Sequence, residues 1–167
     1  FLMKKNSIDW MRGTGRLLGS GNVEFTAEGK APESIAAKHI VVATGARPRS
    51  IPGVAIDRER VITSTEAMTL QRRPESLIVI GAGAIGIEFA YFYNALGTRV
   101  TVVEMLPSIL PVEDHELTKE LERSLKKQGV EILTGTRVQR VQRSADDVTV
   151  AVATPEGPKE LRADIAL

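Results

Sequence analysis

From residue 77 to residue 133, apolar residues follow two alternating patterns. Runs of apolar and β-branched residues at 77–80, 99–104 and 130–133 are typical of buried parallel strands. Between these runs, apolar residues recur every three or four positions at 84–96 and 115–128, as in amphipathic helices. The alternation predicts two linked βαβ units with right-handed crossovers.

Capping residues support these helices and add a shorter one. Thr63 and Glu66 have the spacing of a capping box, which predicts a short helix over residues 64–70. Asp114 is placed to cap the second long helix, and Gly97 follows the first as a C-terminal cap. The residues predicted to face the core are Ile85, Phe89, Phe92 and Leu96 on the first long helix and Leu117, Leu121 and Leu125 on the second.

The rest of the chain favours antiparallel strands. Glycines and polar turn residues interrupt residues 1–50, which predicts a small β meander that ends in a buried strand over residues 35–43. His39, near the start of the apolar run in that strand, is predicted to be a packed or edge residue. Residues 137–162 are predicted to form a second antiparallel meander. Residues 163–167 begin a further strand, and we expect it to be cut short by the end of the chain.

A dense group of turn residues predicts where one domain ends. Pro48, Pro52 and Gly53 fall within six residues, and the sequence changes character after them. We therefore expect two domains, residues 1–50 and residues 51–167. The second is predicted to be α/β, with a parallel sheet and an antiparallel meander, and the first to be a β segment.

Composition excludes several kinds of partner and chemistry. The 167 residues include 22 basic and 21 acidic side chains, so no strong net charge points to nucleic acid, and no apolar run is long enough to cross a membrane. The chain has no cysteine, which excludes thiol chemistry and a thiolate metal site within it, and we predict no metal site. The sequence places neither of its two histidines, His39 and His115, in a catalytic constellation of serine and carboxylate residues. We therefore predict no catalytic residue in this chain.

The segment LIVIGAGAIGIEFA at residues 77–90 carries three glycines with the spacing G-x-G-x-x-G. In this pattern Gly81 permits a tight turn, Gly83 lets the backbone approach a pyrophosphate, and Gly86 lets the helix lie close to the sheet. The amide groups at the start of the helix favour phosphate oxygens. Taken alone, the pattern is equally compatible with a tight packing turn.

Glu104 extends this pattern to a nucleotide-binding prediction. It ends the second predicted strand eighteen residues after Gly86, near the position of the acid that binds an adenosine ribose in a Rossmann-type domain. A carboxylate there repels a 2'-phosphate, and residues 105–111 carry no cation, so NAD is predicted over NADP. The alternative is that Glu104 is a solvated strand end.

Longer stretches of the sequence resemble a known family. GAGAIGIE, GTRVTVVE and ILPVEDHELTKELERSLKKQGVEILTGTRV lie within residues 81–138. They resemble the NAD-binding domain of dihydrolipoamide dehydrogenases, flavoproteins of the pyridine nucleotide-disulfide oxidoreductase family. IVVATGARPRSIPG at residues 40–53 resembles the family's passage from its FAD domain to its NAD domain, and residues 1–43 resemble the last strands of the FAD domain. The resemblance implies a Rossmann-like NAD-binding domain preceded by part of an FAD-binding domain.

For the intact enzyme, the resemblance implies an oxidoreductase with a redox-active centre. Electrons would pass from a dihydrolipoyl group through a cysteine pair to FAD and then to NAD. The implied enzyme is a homodimer that works with the lipoyl domain of 2-oxoacid dehydrogenase complexes or of the glycine cleavage system, in the bacterial cytoplasm or the mitochondrial matrix. The family's Cys-x4-Cys pair, its first FAD-binding fingerprint and its C-terminal His and Glu are absent from these 167 residues. We therefore expect a fragment that is inactive alone and does not retain FAD.

The resemblance also implies site residues. Those implied to contact NAD are Gly81, Ala82, Gly83, Ala84, Ile85, Gly86, Ile87, Glu88, Glu104 and Val138. Those implied to contact FAD in the intact enzyme are Gly15, Thr44, Gly45 and Ala46. Glu88 would lie where nicotinamide approaches flavin, although a glutamate one turn into a helix also favours the helix dipole. Two other functions stay open: a different NAD(H)-dependent flavoprotein reductase, such as one similar to mercuric reductase, and a non-catalytic module that binds or senses NAD.

Overall fold

The computed structural model describes residues 1–49 and 51–167, which form two compact units, Phe1–Ala46 and Arg47–Leu167. The division falls a few residues before the predicted domain boundary, next to Pro48. The interpretation of these units as parts of an FAD-binding and an NAD-binding domain stays a prediction.

The first unit is a three-stranded antiparallel sheet preceded by one helical turn. Its elements are α1 (Leu2–Lys5), β1 (Thr14–Gly19), β2 (Asn22–Thr26) and β3 (Glu33–Ala36), and the strand order is β1-β2-β3. Ser20 and Gly21 make the turn between β1 and β2 with positive φ values. A Cβ atom on Gly21 would lie 2.9 Å from the carbonyl oxygen of Ala37, so this close approach requires glycine. The predicted meander is confirmed.

The predicted buried strand over residues 35–43 is wrong. β3 covers only the first two of these residues, and Ile40, Val41 and Val42 are 39%, 87% and 64% exposed outside any strand. An apolar run becomes a buried strand only where neighbouring strands bond its backbone and cover its side chains. The described part of the chain places no strand beside residues 40–42. His39, predicted to be packed or at a strand edge, is exposed as well.

The second unit alternates strands and helices and then continues as antiparallel strands. Its elements are α2 (Ser64–Ala67), β4 (Ser76–Ile80), α3 (Ala84–Ala95), β5 (Arg99–Val103), α4 (His115–Lys127), β6 (Glu131–Leu133), β7 (Arg137–Arg143), β8 (Val148–Thr154), β9 (Gly157–Ala163) and β10 (Ile165–Ala166). A parallel sheet has the order β10-β4-β5-β6, and an antiparallel sheet has the order β7-β8-β9. The predicted α/β class is confirmed. None of the helices in residues 1–49 and 51–167 is long and apolar enough to cross a membrane.

The parallel sheet has a core on each face because successive residues of a strand point to opposite sides. On one face, Leu77 and Val79 of β4 belong to a cluster that includes Ile87 of α3 and Leu125 of α4. On the other face, Ile78 of β4 clusters with the buried valines of β8. Both faces of the sheet are therefore covered, as its continuous apolar strands predict.

The face that α3 buries differs from the prediction. Ile85, Phe92 and Leu96, predicted to face the core, are 60%, 52% and 51% exposed. The buried residues of α3 are Ile87, Ala90 and Tyr93. Because apolar residues occupy most of the circumference of α3, their spacing does not select one face. Close packing against β4 selects the buried face instead, since a Cβ atom on Gly86 would lie only 3.2 Å from Cγ1 of Val79.

The start of α4 agrees with the prediction, whereas one residue of its predicted core face does not. The Oδ1 atom of Asp114 accepts the backbone N–H groups of Glu116 and Leu117 at 2.9 and 3.2 Å, which caps the helix. Leu117 itself is 71% exposed, and the buried residues are Thr118 and Leu125. The spacings i, i+3, i+7 and i, i+4, i+8 both describe a helix face, and the structure selects the first.

Asp57 ties the segment before α2 to β7. Its Oδ1 atom accepts backbone N–H bonds from Glu59, Arg60 and Val61 at 2.7, 2.8 and 3.0 Å, and its Oδ2 atom lies 3.3 Å from a guanidinium nitrogen of Arg143. Burial alone would raise the pKa of Asp57, but the backbone donors and the charge of Arg143 outweigh it. They hold the pKa of Asp57 below its ordinary value.

We expect Asp57 to make stability depend on pH at the acidic end. Because folding lowers its pKa, its contribution is complete above about pH 4, the ordinary pKa of Asp, and is lost as the pH falls through the folded-state pKa. Urea unfolding of Asp57→Asn between about pH 5 and about pH 2 should therefore show a weaker loss of stability on acidification than the wild type. Asp146→Asn, at an exposed position, is the matched control and should keep the wild-type slope. An unchanged slope in Asp57→Asn would contradict the assignment.

Candidate nucleotide-binding site

The glycine-rich loop at residues 81–86 connects β4 to α3. Gly81 has a φ of 104°, in the region that favours glycine, and its N–H donates to the carbonyl oxygen of Val103 at 2.8 Å. A Cβ atom on Gly86 would lie 2.1 Å from the carbonyl oxygen of Gly81. The helix therefore begins pressed against the turn it leaves, and this contact requires glycine at position 86.

Gly83 stands on the open side of the loop. It is the N-cap of α3, no side chain caps the helix there, and a Cβ atom on Gly83 would meet no other atom within 4 Å. The N–H groups of the first turn have no intrahelical acceptor, since the helical ladder begins with the bond from the Ile87 N–H to the Gly83 carbonyl. Uncapped donors, open space and the positive end of the helix dipole fit the diphosphate of a dinucleotide.

Glu104 lies directly after β5 and is only 8% exposed. Its Oε2 atom accepts the backbone N–H of Ala82, and its Oε1 atom accepts that of Leu106, both at 2.8 Å. Its backbone carbonyl also accepts the N–H of Thr136 at 2.8 Å. The side chain therefore joins the glycine-rich loop to the loop after β5, while each carboxylate oxygen keeps a second lone pair for a ligand.

The register of the parallel sheet explains why two distant residues meet. Ile80 lies opposite Val103, so the residues that follow them, Gly81 and Glu104, leave the sheet at the same edge. Ligands of doubly wound sheets bind outside this carboxyl edge. The structure therefore places Glu104 where the sequence argument requires it, and its role in binding stays a prediction.

A cavity of about 490 Å³ opens beside Glu104, within the usual size range of small-molecule sites. Its lining consists of Arg49, Ile51, Pro52, Ile80, Gly81, Val103, Glu104, Met105, Thr136, Arg137 and Val138. The cavity brings together Gly81, Glu104 and Val138, three of the residues that the resemblance implies contact NAD. The apolar part of the lining suits a flat ring, and the Glu104 carboxylate supplies an acceptor beside it.

The other predicted site residues lie in varied surroundings. Ala82 and Ile87 are buried, whereas Ala84, Ile85 and Glu88 are exposed near the start of α3. The residues implied to contact FAD belong to the first unit and are all exposed; they are Gly15, Thr44, Gly45 and Ala46. The ligand contacts of all these residues stay predictions.

Sequence reasoning missed part of the cavity wall. Arg49, Ile51 and Pro52 come from a segment that reads as a linker, and Arg137 is the first residue of β7. No local pattern marks these residues, because they reach Glu104 only through contacts between segments that are distant in the sequence.

Comparison with known proteins identifies the family. The family profile described as pyridine nucleotide-disulphide oxidoreductase matches residues 1–167. The chain belongs to this family. Relatives include dihydrolipoyl dehydrogenase 3 of Pseudomonas putida, which is 42% identical over 100% of this chain, and the dihydrolipoyl dehydrogenase of Bacillus subtilis, 38% identical over 89% of it. The chain spans 36% and 34% of the length of these two relatives.

Solved structures share the fold of this chain. LpdA from Mycobacterium tuberculosis matches 99% of this chain with a TM-score of 0.77 and 30% identity, and the match covers 37% of that structure's chain. The NAD-dependent persulfide reductase from A. fulgidus matches 99% of this chain with a TM-score of 0.73 and 30% identity, over 32% of its own chain. These likenesses agree with the family profile in placing the chain in the pyridine nucleotide-disulphide oxidoreductase family.

Proposed function

We propose that this chain is the NAD-binding part of a flavoprotein disulfide oxidoreductase of the dihydrolipoyl dehydrogenase type. The observation that carries the proposal is the buried hydrogen bond from the Ala82 N–H to Glu104, a residue that lines an open cavity. This bond joins a carboxylate acceptor to a loop of amide donors, and an adenosine ribose followed by a diphosphate needs both.

In this proposal the chain's own residues bind and orient the dinucleotide. The amide groups of residues 83–86 hold the diphosphate, Glu104 accepts hydrogen bonds from the ribose hydroxyls, and Val138 contacts the adenine. Glu88, exposed one turn into α3, lies towards the nicotinamide end. The bound NAD supplies the hydride acceptor, and the protein supplies position and charge.

We expect the chain to bind NADH and to bind NADPH at least about tenfold more weakly, a difference of about 1.4 kcal/mol. A carboxylate and a 2'-phosphate about 4 Å apart repel by about 4 kcal/mol per pair of unit charges at an effective dielectric constant of about 20, which is ample for that difference. Fluorescence titration with each nucleotide measures both affinities. Equal affinities would contradict the assignment of Glu104 to the ribose, and undetectable NADH binding would contradict the nucleotide site itself.

For the whole protein, the proposed reaction is the oxidation of a dihydrolipoyl group by NAD through FAD. The names of the curated relatives support it, and this chain, which has no cysteine, supplies only the nucleotide-binding part. We further propose that the chain alone does not retain FAD. The proposed partners are a second subunit and a lipoyl domain, in the bacterial cytoplasm or in the mitochondrial matrix. Formation of NADH from dihydrolipoamide and NAD by the full-length protein tests this reaction.

A second candidate function uses the same nucleotide site but acts on a different disulfide or sulfur substrate. It is favoured by the likeness to the NAD-dependent persulfide reductase, which is 30% identical over 99% of this chain. Faster turnover of the full-length protein with a persulfide than with dihydrolipoamide would select this candidate.

A further inference from the structure

Two arginines line the nucleotide cavity beside Glu104. Arg49 comes from the segment before α2, and Arg137 begins β7. Both are exposed, and neither takes part in the ion pairs formed among residues 1–49 and 51–167. Their positive charges are therefore available to a ligand.

The segment that follows Arg49 packs against β7 and a buried cluster. Gly53 has a φ of 81°, and a Cβ atom on it would lie only 3.2 Å from the carbonyl oxygen of Gln139 in β7. Val54 donates its N–H to the carbonyl of Ile51 at 3.1 Å and packs against the buried cluster that contains Val150. This turn lies on β7, the strand that begins at Arg137, and so explains how the two arginines come to share one cavity.

The negative and positive groups on the cavity wall differ in the partners that they have. The carboxylate of Glu104 accepts two backbone N–H bonds, which stabilise its negative charge, whereas the two guanidinium groups have no acidic partner in the described residues. The positive charge of a guanidinium group attracts phosphate oxygens. The surplus of positive charge therefore suits a ligand that carries phosphate groups.

We propose that Arg49 and Arg137 are residues of the nucleotide cavity whose positive charges attract the phosphate groups of the dinucleotide. The inference rests on the proposed function and adds two charged residues to the site. The arginines raise the affinity for NADH and NADPH alike, so the preference for NADH is assigned to Glu104 alone.

The test is NADH titration of single and double substitutions in this chain at two salt concentrations. At about 50 mM NaCl we expect Arg49→Gln and Arg137→Gln to bind NADH about three- to tenfold more weakly, and the double variant more weakly still. At about 500 mM NaCl the differences should shrink, because salt screens exposed charges. Arg49→Lys and Arg137→Lys should retain most of the affinity, since they keep the charge.

Matched controls separate this inference from the proposed function. Arg47→Gln and Arg140→Gln remove exposed charges nearby in the sequence from residues that do not line the cavity, and both should stay within about twofold of the wild type. If the wild type itself does not bind NADH, the proposed function fails. If the wild type binds but Arg49→Gln and Arg137→Gln behave like these controls, or lose equal affinity at both salt concentrations, the arginine inference fails alone.

Discussion

Replacing Gly86 with alanine is expected to destabilise the second unit by about 2 kcal/mol and to weaken NADH binding at least about tenfold. The new Cβ atom would lie 2.1 Å from the carbonyl oxygen of Gly81, a backbone atom that cannot rotate away. Alanine favours a helix over glycine by only about 1 kcal/mol, whereas overpacking costs about 1–3 kcal/mol. The start of α3 must therefore shift, and its N–H donors shift with it. Urea unfolding and NADH titration measure the two effects.

The matched substitution Gly83→Ala separates fold from binding. Gly83 has a φ of −72° and a ψ of 177°, which any residue adopts, and a Cβ atom there meets nothing within 4 Å. We expect this variant to keep its stability within about 1 kcal/mol and to lose at least about tenfold in NADH affinity, because its methyl group occupies the space assigned to the diphosphate. Wild-type stability in Gly86→Ala would contradict the packing argument, and wild-type NADH affinity in Gly83→Ala would contradict the position of the diphosphate.

Elements with local chemical signals were predictable from the sequence. The capping box of α2 forms as its spacing predicts: Oε2 of Glu66 accepts the N–H of Thr63 at 2.9 Å, and Oγ1 of Thr63 accepts the N–H of Thr65 at 3.2 Å. The helix begins at Ser64 as predicted, although it ends at Ala67, earlier than the predicted end. The alternation of strands and helices was predictable for the same reason, because each segment carries its own period.

Features that depend on tertiary contacts could not be predicted from local sequence patterns. The apolar residues of α3 surround most of the helix, so only its close approach to β4 at Gly86 decides that Tyr93 is buried and Phe92 is exposed. The run at residues 40–42 has the composition of a strand but no neighbouring strand in the described residues.

The residues of the candidate site likewise fall into two groups, those that the sequence could place together and those that it could not. Gly81 and Glu104 could be placed together because each follows one of two adjacent parallel strands, and sequence order gives that adjacency. Arg49 and Arg137 could not be placed together from the sequence, because they come from distant segments that meet only at one cavity wall.

Replacing Glu104 with glutamine is expected to weaken NADH binding more than about tenfold and to remove most of the preference for NADH over NADPH. The amide oxygen of Gln can replace only one carboxylate oxygen, so the N–H of either Ala82 or Leu106 loses its acceptor. A partly buried N–H without a partner costs about 1–3 kcal/mol, so unfolding experiments should detect a loss of stability as well. The repulsion of a 2'-phosphate disappears with the charge, which changes the ratio of the two affinities.

A second substitution, Glu104→Asp, separates these two roles. It keeps the negative charge but shortens the side chain by one methylene group, so it cannot span both N–H donors in the present geometry. We expect it to lose stability like Glu104→Gln and still to disfavour NADPH. Glu113→Gln, which removes a carboxylate charge at an exposed position outside the cavity, should change neither property. An unchanged ratio of NADH to NADPH affinity in Glu104→Gln would show that the carboxylate only holds the two loops together.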